Sequence, residues 1–320
     1  MSTQENPAPR LALTGGTGFV GSHLIEAALT AGYEINALTR RPQPPRPGLT
    51  WIDGDLEHSG ALRELVSGAD AVIHAAGLVK ALRRRDFQQV NIAGSRALAE
   101  AVSEAAGGDT HFIQLSSLAA RQPHLSDYAG SKRHGEGVIR DALGDNHPWT
   151  VLRPPAVYGP GDVEILKLLR LAGRGYLPMV APRFARFSMI HVDDLARALI
   201  AVIGQSQCFG GTYELRDASA DGTSMPEMAE MLGDIFGRKV RCIALPRPIL
   251  NVAAVAAQLG GRIRGRPSML SRQKLRELAH PDWLVSRNPL AEAGLWSPTL
   301  PLEAGMRETI DWYREKGLLK

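Results

Sequence analysis

Residues Arg10 to Leu29 read RLALTGGTGFVGSHLIEAAL. A short apolar strand runs into a glycine turn, and the turn runs into a helix. Gly15, Gly18 and Gly21 lie three apart between the two elements. Glycines in a bare triplet also close ordinary turns, so the strand before and the helix behind decide the reading. The first glycine permits the tight turn, the second lets backbone approach a pyrophosphate, and the third permits close helix packing. The helix N-terminus then offers free N–H groups and its positive dipole end to the phosphates. The stretch predicts a dinucleotide site built on Gly15, Thr17, Gly18, Phe19 and Val20.

Outward from this turn, strand and helix alternate. YEINALTRR, LTWIDGDL, DAVIHAAG, THFIQLSSLAA and WTVLRPPAVYG read as further strands. ALRELVSG, Phe87 to Ala106 and Tyr128 to Leu143 read as helices. The strands are nearly continuous apolar runs, which predicts an α/β fold with a doubly wound parallel sheet covered on both faces. Beyond about residue 156 the alternation weakens and Pro, Gly and Arg accumulate. The expected division is a dinucleotide-binding domain over 1–155, to which 188–212 returns, and a smaller substrate-binding lid from 156–187 and 213–320.

A chain of 320 residues with 44% apolar and 22% charged residues is ordinary for a globular protein. Its net charge of +4, from 37 basic and 33 acidic residues, is too small to indicate a nucleic-acid partner. The clusters Arg83-Arg84-Arg85 and Arg262, Arg264 and Arg266 read as solvated faces. The only cysteines, Cys208 and Cys242, lack metal-ligand spacing, so neither a disulfide framework nor a metal site is expected, and a reducing cytoplasm fits. The opening MSTQENPAP lacks the apolar core of a signal peptide. No apolar run approaches the roughly 18 residues of a membrane span, so stable membrane insertion is not expected. ILNVAAVAAQLGG, from Ile249, reads as a buried helix, with attachment to a membrane surface as the alternative.

The end of the second strand bears on the nucleotide. An NAD site usually places an acid there, about 20 residues beyond the glycines. Here the sequence is Thr39-Arg40-Arg41. A guanidinium forks onto a 2′-phosphate that a carboxylate would repel, so NADP is favoured, with NAD kept open. Alternatively the two arginines only cap an exposed strand end. Asp55, followed by Leu56, is the expected acceptor at the adenine edge.

Within DYAGSK, Tyr128 and Lys132 are four apart and share a helix face. They could be a packed aromatic beside a solvated charge, or a proton-transfer pair. A tyrosine has an ordinary pKa of about 10 and is a poor base at neutral pH, but a nearby cation favours its phenolate.

TGGTGFVG, GDL, HAAG, SS, YAGSK and LRPPAVYGPGD together resemble the extended short-chain dehydrogenase/reductases, which include the NAD-dependent epimerase/dehydratases. The nearest pattern is the 3β-hydroxysteroid dehydrogenase and dihydroflavonol reductase-like branch. The resemblance implies a Rossmann domain in which Tyr128 transfers a proton, Lys132 partners it, Ser117 holds the substrate oxygen and Asn91 organises the lysine. It also implies cofactor contacts from Ala75, Ala76, Gly77, Ser116, Tyr128, Lys132, Pro155 and Val157. Without the resemblance, Ser117 is a strand-end cap and Asn91 a helix-surface amide.

Nucleotide-sugar members usually carry an asparagine and an arginine where this chain has Ala156 and Phe187. Arg183 and Arg186 lie close by in sequence and could substitute. The expected activity is a ketone/secondary-alcohol oxidoreductase acting on a small molecule. A nucleotide-sugar epimerase or dehydratase is the alternative. The connection from Ser117 to Tyr128 is short for this family, which keeps a nucleotide-binding accessory subunit without turnover as a third reading. A homodimer is left open.

Overall fold

The computed structural model describes residues 8–144 and 146–320. The first part runs β1 (Arg10–Thr14), α1 (Phe19–Thr30), β2 (Glu34–Thr39), β3 (Leu49–Asp53), α2 (Ser59–Val66), β4 (Ala71–His74), α3 (Arg84–Phe87), α4 (Gly94–Ala105), β5 (His111–Leu115), α5 (Asp127–Leu143) and β6 (Trp149–Arg153). Then come β7 (Ala156–Tyr158), α6 (Val163–Ala172), β8 (Tyr176–Met179), β9 (Arg186–Phe187), β10 (Met189–His191), α7 (Val192–Ala201) and β11 (Gly211–Glu214). The chain closes with β12 (Thr223–Ser224), α8 (Met225–Phe236), β13 (Arg241–Ala244), α9 (Arg247–Ile263), α10 (Arg272–Ala279), β14 (Asp282–Trp283), α11 (Pro289–Glu292) and α12 (Leu302–Glu315).

Seven parallel strands form the main sheet in the order β11-β6-β5-β4-β1-β2-β3. The order reverses between β1 and β4, the crevice where open α/β sheets bind ligands. Side chains alternate across the strands. Leu11 and Leu13 enter the core shared with α1 and α7, while Ala12 enters the core shared with α2, α4 and α5. This two-sided burial explains the continuous apolar runs. A third core joins α6, α8 and α12 through Leu169, Leu232 and Ile310.

Four features differ from the sequence reading. The expected sixth strand breaks after Arg153, and β7 instead pairs with β10. Pro154 and Pro155 supply no N–H groups to continue a ladder. The main sheet takes its last strand from Gly211–Glu214, while Leu290 and Trp296 pack into the core on the α1 face. Between α3 and α4 the helix widens into a π turn over Gln88–Ala93, which contains Asn91.

Finally, α9 is not the buried helix expected from its composition. Only Leu250 and Ala254 are buried, whereas Ile249, Val252, Leu259 and Ile263 are 59, 70, 52 and 87% exposed. Its buried side packs on Leu275 of α10 and on Val180, Leu245 and Leu270, while its far side is exposed. No described helix is long and apolar enough to cross a membrane.

Candidate active site

The glycine turn is shaped by what it excludes. Gly15 has φ +79°, and a Cβ there would sit 2.6 Å from the Ala76 nitrogen. Strands β1 and β4 can therefore close on each other only with glycine at this position. A Cβ on Gly21 would overlap the Gly15 carbonyl. Gly18 is the N-cap of α1 and offers no side-chain cap, and the first turn contains no acid. The free N–H groups at Phe19 and Val20 keep an unopposed positive end. This cradle fits a pyrophosphate.

At the end of β2, Arg40 and Arg41 are both exposed. The Thr39 hydroxyl donates to the Arg41 carbonyl at 2.7 Å and fixes the turn that presents them. Neither guanidinium is in an ion pair among the described residues. Asp55 uses one carboxylate oxygen to accept the Glu57 N–H at 2.9 Å. Leu56 packs on Gly94 of α4, where a Cβ would approach its side chain to 2.7 Å.

Helix α5 carries the central pair. The Ser126 hydroxyl caps it by accepting the Ala129 N–H at 2.9 Å, and that hydroxyl also donates to Glu277 of α10. Asp127 exchanges two hydrogen bonds with Gln273, at 3.0 and 2.7 Å. Thus α10 holds the turn that bears Tyr128. Burial pushes the Tyr128 phenol up to about 12; the Ser117 hydroxyl opposes this by hydrogen bonding, and the Glu277 charge adds to it.

Lys132 is buried, and burial lowers its ammonium to about 8 although Glu136 pulls the other way. Its Nζ donates to the Leu115 carbonyl at 2.8 Å. Gly77 lies between this nitrogen and Asn91: a Cβ there would be 3.3 Å from each. Asn91 accepts the Leu78 N–H at 2.7 Å and donates to the Leu78 carbonyl and the Ser131 hydroxyl, both at 2.9 Å. The amide therefore stitches the loop after β4 to α5 and is no surface group.

Ser117 caps the short helical turn over Leu118–Arg121, accepting the Ala119 N–H at 3.2 Å. Ser116 points the other way, donating to Glu136 at 2.5 Å. Pro155 is buried, and Val157 packs on the sheet core.

Three groups escaped the sequence reading. Buried Glu136 takes a two-pronged bond from Arg153, at 2.8 and 2.6 Å. Burial alone would raise its pKa, but the bonds from Arg153 and Ser116 win and lower it. Its place one turn after Lys132 was a usable signal. His74 bridges Thr14 at 2.7 Å and Ser95 at 2.9 Å, and burial drops its pKa to about 3, so it is neutral. His23 of α1 meets Asp193 at 2.6 Å and the Pro160 carbonyl at 2.9 Å. The Asp193 hydrogen bond raises its pKa, and two acceptors suit a protonated ring.

A family model described as "NAD dependent epimerase/dehydratase family" matches residues 11–214, which hold the cradle, Tyr128 and Lys132. The chain belongs to the NAD-dependent epimerase/dehydratase family. It is an NAD(P)-dependent enzyme of the extended short-chain dehydrogenase/reductase type. A ceramide reductase of Caulobacter vibrioides is 41% identical over 316 residues, covering 97% of this chain and 96% of the relative. A 2-alkyl-3-oxoalkanoate reductase of Stenotrophomonas maltophilia is 24% identical, covering 93% and 97%. The fold matches the solved structure of MoeE5 in complex with UDP-glucuronic acid and NAD, with a TM-score of 0.73 at 22% identity, covering 96% of this chain and 99% of that one.

Proposed function

We propose that this epimerase/dehydratase-family member is an NADP(H)-dependent reductase that converts a ketone on a ceramide-like, long-chain lipid to a secondary alcohol. The observation that carries the reading is the 41% identity to a ceramide reductase along nearly the whole chain. The second named reductase also has an alkyl-chain substrate by its name. Arg186 argues against a nucleotide sugar: its guanidinium is committed to Glu227 at 2.9 and 3.1 Å and to the carbonyls of Asp221 and Gly222. Four of its five N–H donors are taken, and its charge is already matched by a carboxylate.

A nicotinamide cofactor, when bound, would supply the hydride. Arg40 and Arg41 would hold the 2′-phosphate, and the N–H groups after Gly18 would hold the pyrophosphate. Ser117 donates to the substrate oxygen as its negative charge grows. Tyr128 gives that oxygen its proton, and a phenol pushed up to about 12 is fully protonated at neutral pH, as an acid in the reductive direction must be. Lys132 is placed by the Leu115 carbonyl beside Gly77, where it can contact the nicotinamide ribose and restore the proton. Asn91 sets the loop that carries Gly77.

The test is to incubate the purified protein with NADPH and a long-chain keto-ceramide, then follow nicotinamide absorbance and product mass. One alcohol formed for each NADPH consumed is expected. Interconversion of UDP-sugars with no net change in nicotinamide would overturn the proposal in favour of an epimerase.

A further inference from the structure

We propose that α9 is an interfacial anchor that lies flat on an anionic phospholipid bilayer. Ile249, Val252, Ala253, Ala256, Leu259 and Ile263 are all exposed. At about 3.6 residues per turn their positions fall within a third of the helix circumference, so they form one continuous apolar stripe. The buried seam, Leu250 and Ala254, lies on another side, so the stripe is not the edge of a core. Arg247, Asn251, Gln258 and Arg262 flank it on the polar side. An amphipathic helix with arginines along its polar face sits in the headgroup region with its apolar stripe among the acyl chains.

The charge around the stripe points to what covers it. Residues 235–276 contain ten of the 37 basic residues and none of the 33 acidic ones. The rest of the chain is therefore net negative, and a total of +4 conceals one strongly cationic segment around α9. A second copy docked stripe to stripe would bring two such segments together across the axis. An anionic membrane neutralises them instead. The anchor also lies close to the chemistry: α9 packs on α10 through Leu250, Ala254 and Leu275, and α10 holds Ser126 and Asp127 beside Tyr128. That α9 thereby brings the site to a lipid substrate rests on the reductase reading; adsorption to the membrane does not.

The experiment is vesicle flotation without substrate or nucleotide, comparing neutral phosphatidylcholine vesicles with vesicles containing a quarter phosphatidylglycerol. Wild-type protein is expected to float with the anionic vesicles, at least tenfold more strongly than with neutral ones, and to detach as salt rises. Val252→Asp with Leu259→Asp should abolish flotation at an unchanged melting temperature, because both side chains face water. Arg262→Gln, Arg264→Gln and Arg266→Gln together should reduce it at least tenfold. Wild-type protein that stays in the dense fraction would overturn the proposal, as would a double-Asp variant that floats normally. Light scattering that finds a wild-type dimer, and a double-Asp monomer, would assign the stripe to a second copy and overturn it too. Flotation and keto-lipid reduction can fail separately, so each reading is tested on its own.

Discussion

Strand β5 and helix α9 both read as apolar in sequence, yet Ile113 in β5 is 0% exposed and Ile263 at the end of α9 is 87% exposed. The strand sits in the middle of the sheet with neighbours on both edges and helices over both faces. It even buries His111 and Gln114. The helix has a single supporting seam. Apolar composition marks surface that avoids water, and it does not say whether protein or lipid removes that water.

The same contrast holds for charge. On the sheet side, Glu136 and Arg153 are an ion pair held away from solvent, while Arg262, Arg264 and Arg266 at the end of α9 are exposed and in no ion pair among the described residues. The largest expected effect is therefore at the buried pair. Glu136→Gln should lower stability by about 3–5 kcal/mol, because it removes the carboxylate bonded to Arg153 and leaves it only Glu214 at 3.9 Å; urea unfolding measures it. A loss below about 1 kcal/mol would mean that solvent reaches the pair.

Truncating the two isoleucines tests the packing contrast directly. Ile113→Ala should cost about 2–5 kcal/mol, as buried deletions do. Ile263→Ala should stay within about 0.5 kcal/mol. Equal melting shifts would break the comparison, because they would place the end of α9 inside a core.

Tyr128→Phe keeps the ring against Phe87 and removes only the hydroxyl. Turnover should fall at least about 10²-fold, a barrier increase of roughly 2.7 kcal/mol, with nucleotide binding intact by fluorescence titration. A Phe variant with near-normal turnover would make Tyr128 a packing residue.

Arg40→Ala with Arg41→Ala tests the exposed arginines proposed to hold the 2′-phosphate. NADPH affinity should fall by about tenfold or more, and NADH affinity far less, since a charged hydrogen bond is worth about 1.5–3 kcal/mol. Equal losses would return these residues to strand-end caps.

The smallest effect belongs to His23, which ties α1 to the start of α7. Its folded pKa is raised above the ordinary 6.5. Its contribution is thus complete below pH 6.5 and is lost as pH rises through the folded value. About 0.2–1 kcal/mol should disappear over that window, the range for a pair that solvent reaches. His23→Gln should flatten the melting temperature across the same pH range.

The glycine cradle, the alternation that makes a parallel sheet, and the Tyr128–Lys132 spacing were all legible from sequence, because each depends on neighbours within a few residues. A turn needs glycine where φ is positive, strands buried on both faces need unbroken apolar runs, and a helix aligns residues four apart. Other features depended on chain segments far apart. Nothing near Glu136 in sequence reveals Arg153, His74 needs Thr14 and Ser95 on other elements, and Asn91 acts through a loop and through α5. The apolar stripe of α9 was visible as composition, but which of its sides faced protein was decided only when α10 took the Leu250–Ala254 seam. Periodicity specifies that a helix has an apolar side, and tertiary packing alone determines whether a core is there to receive it.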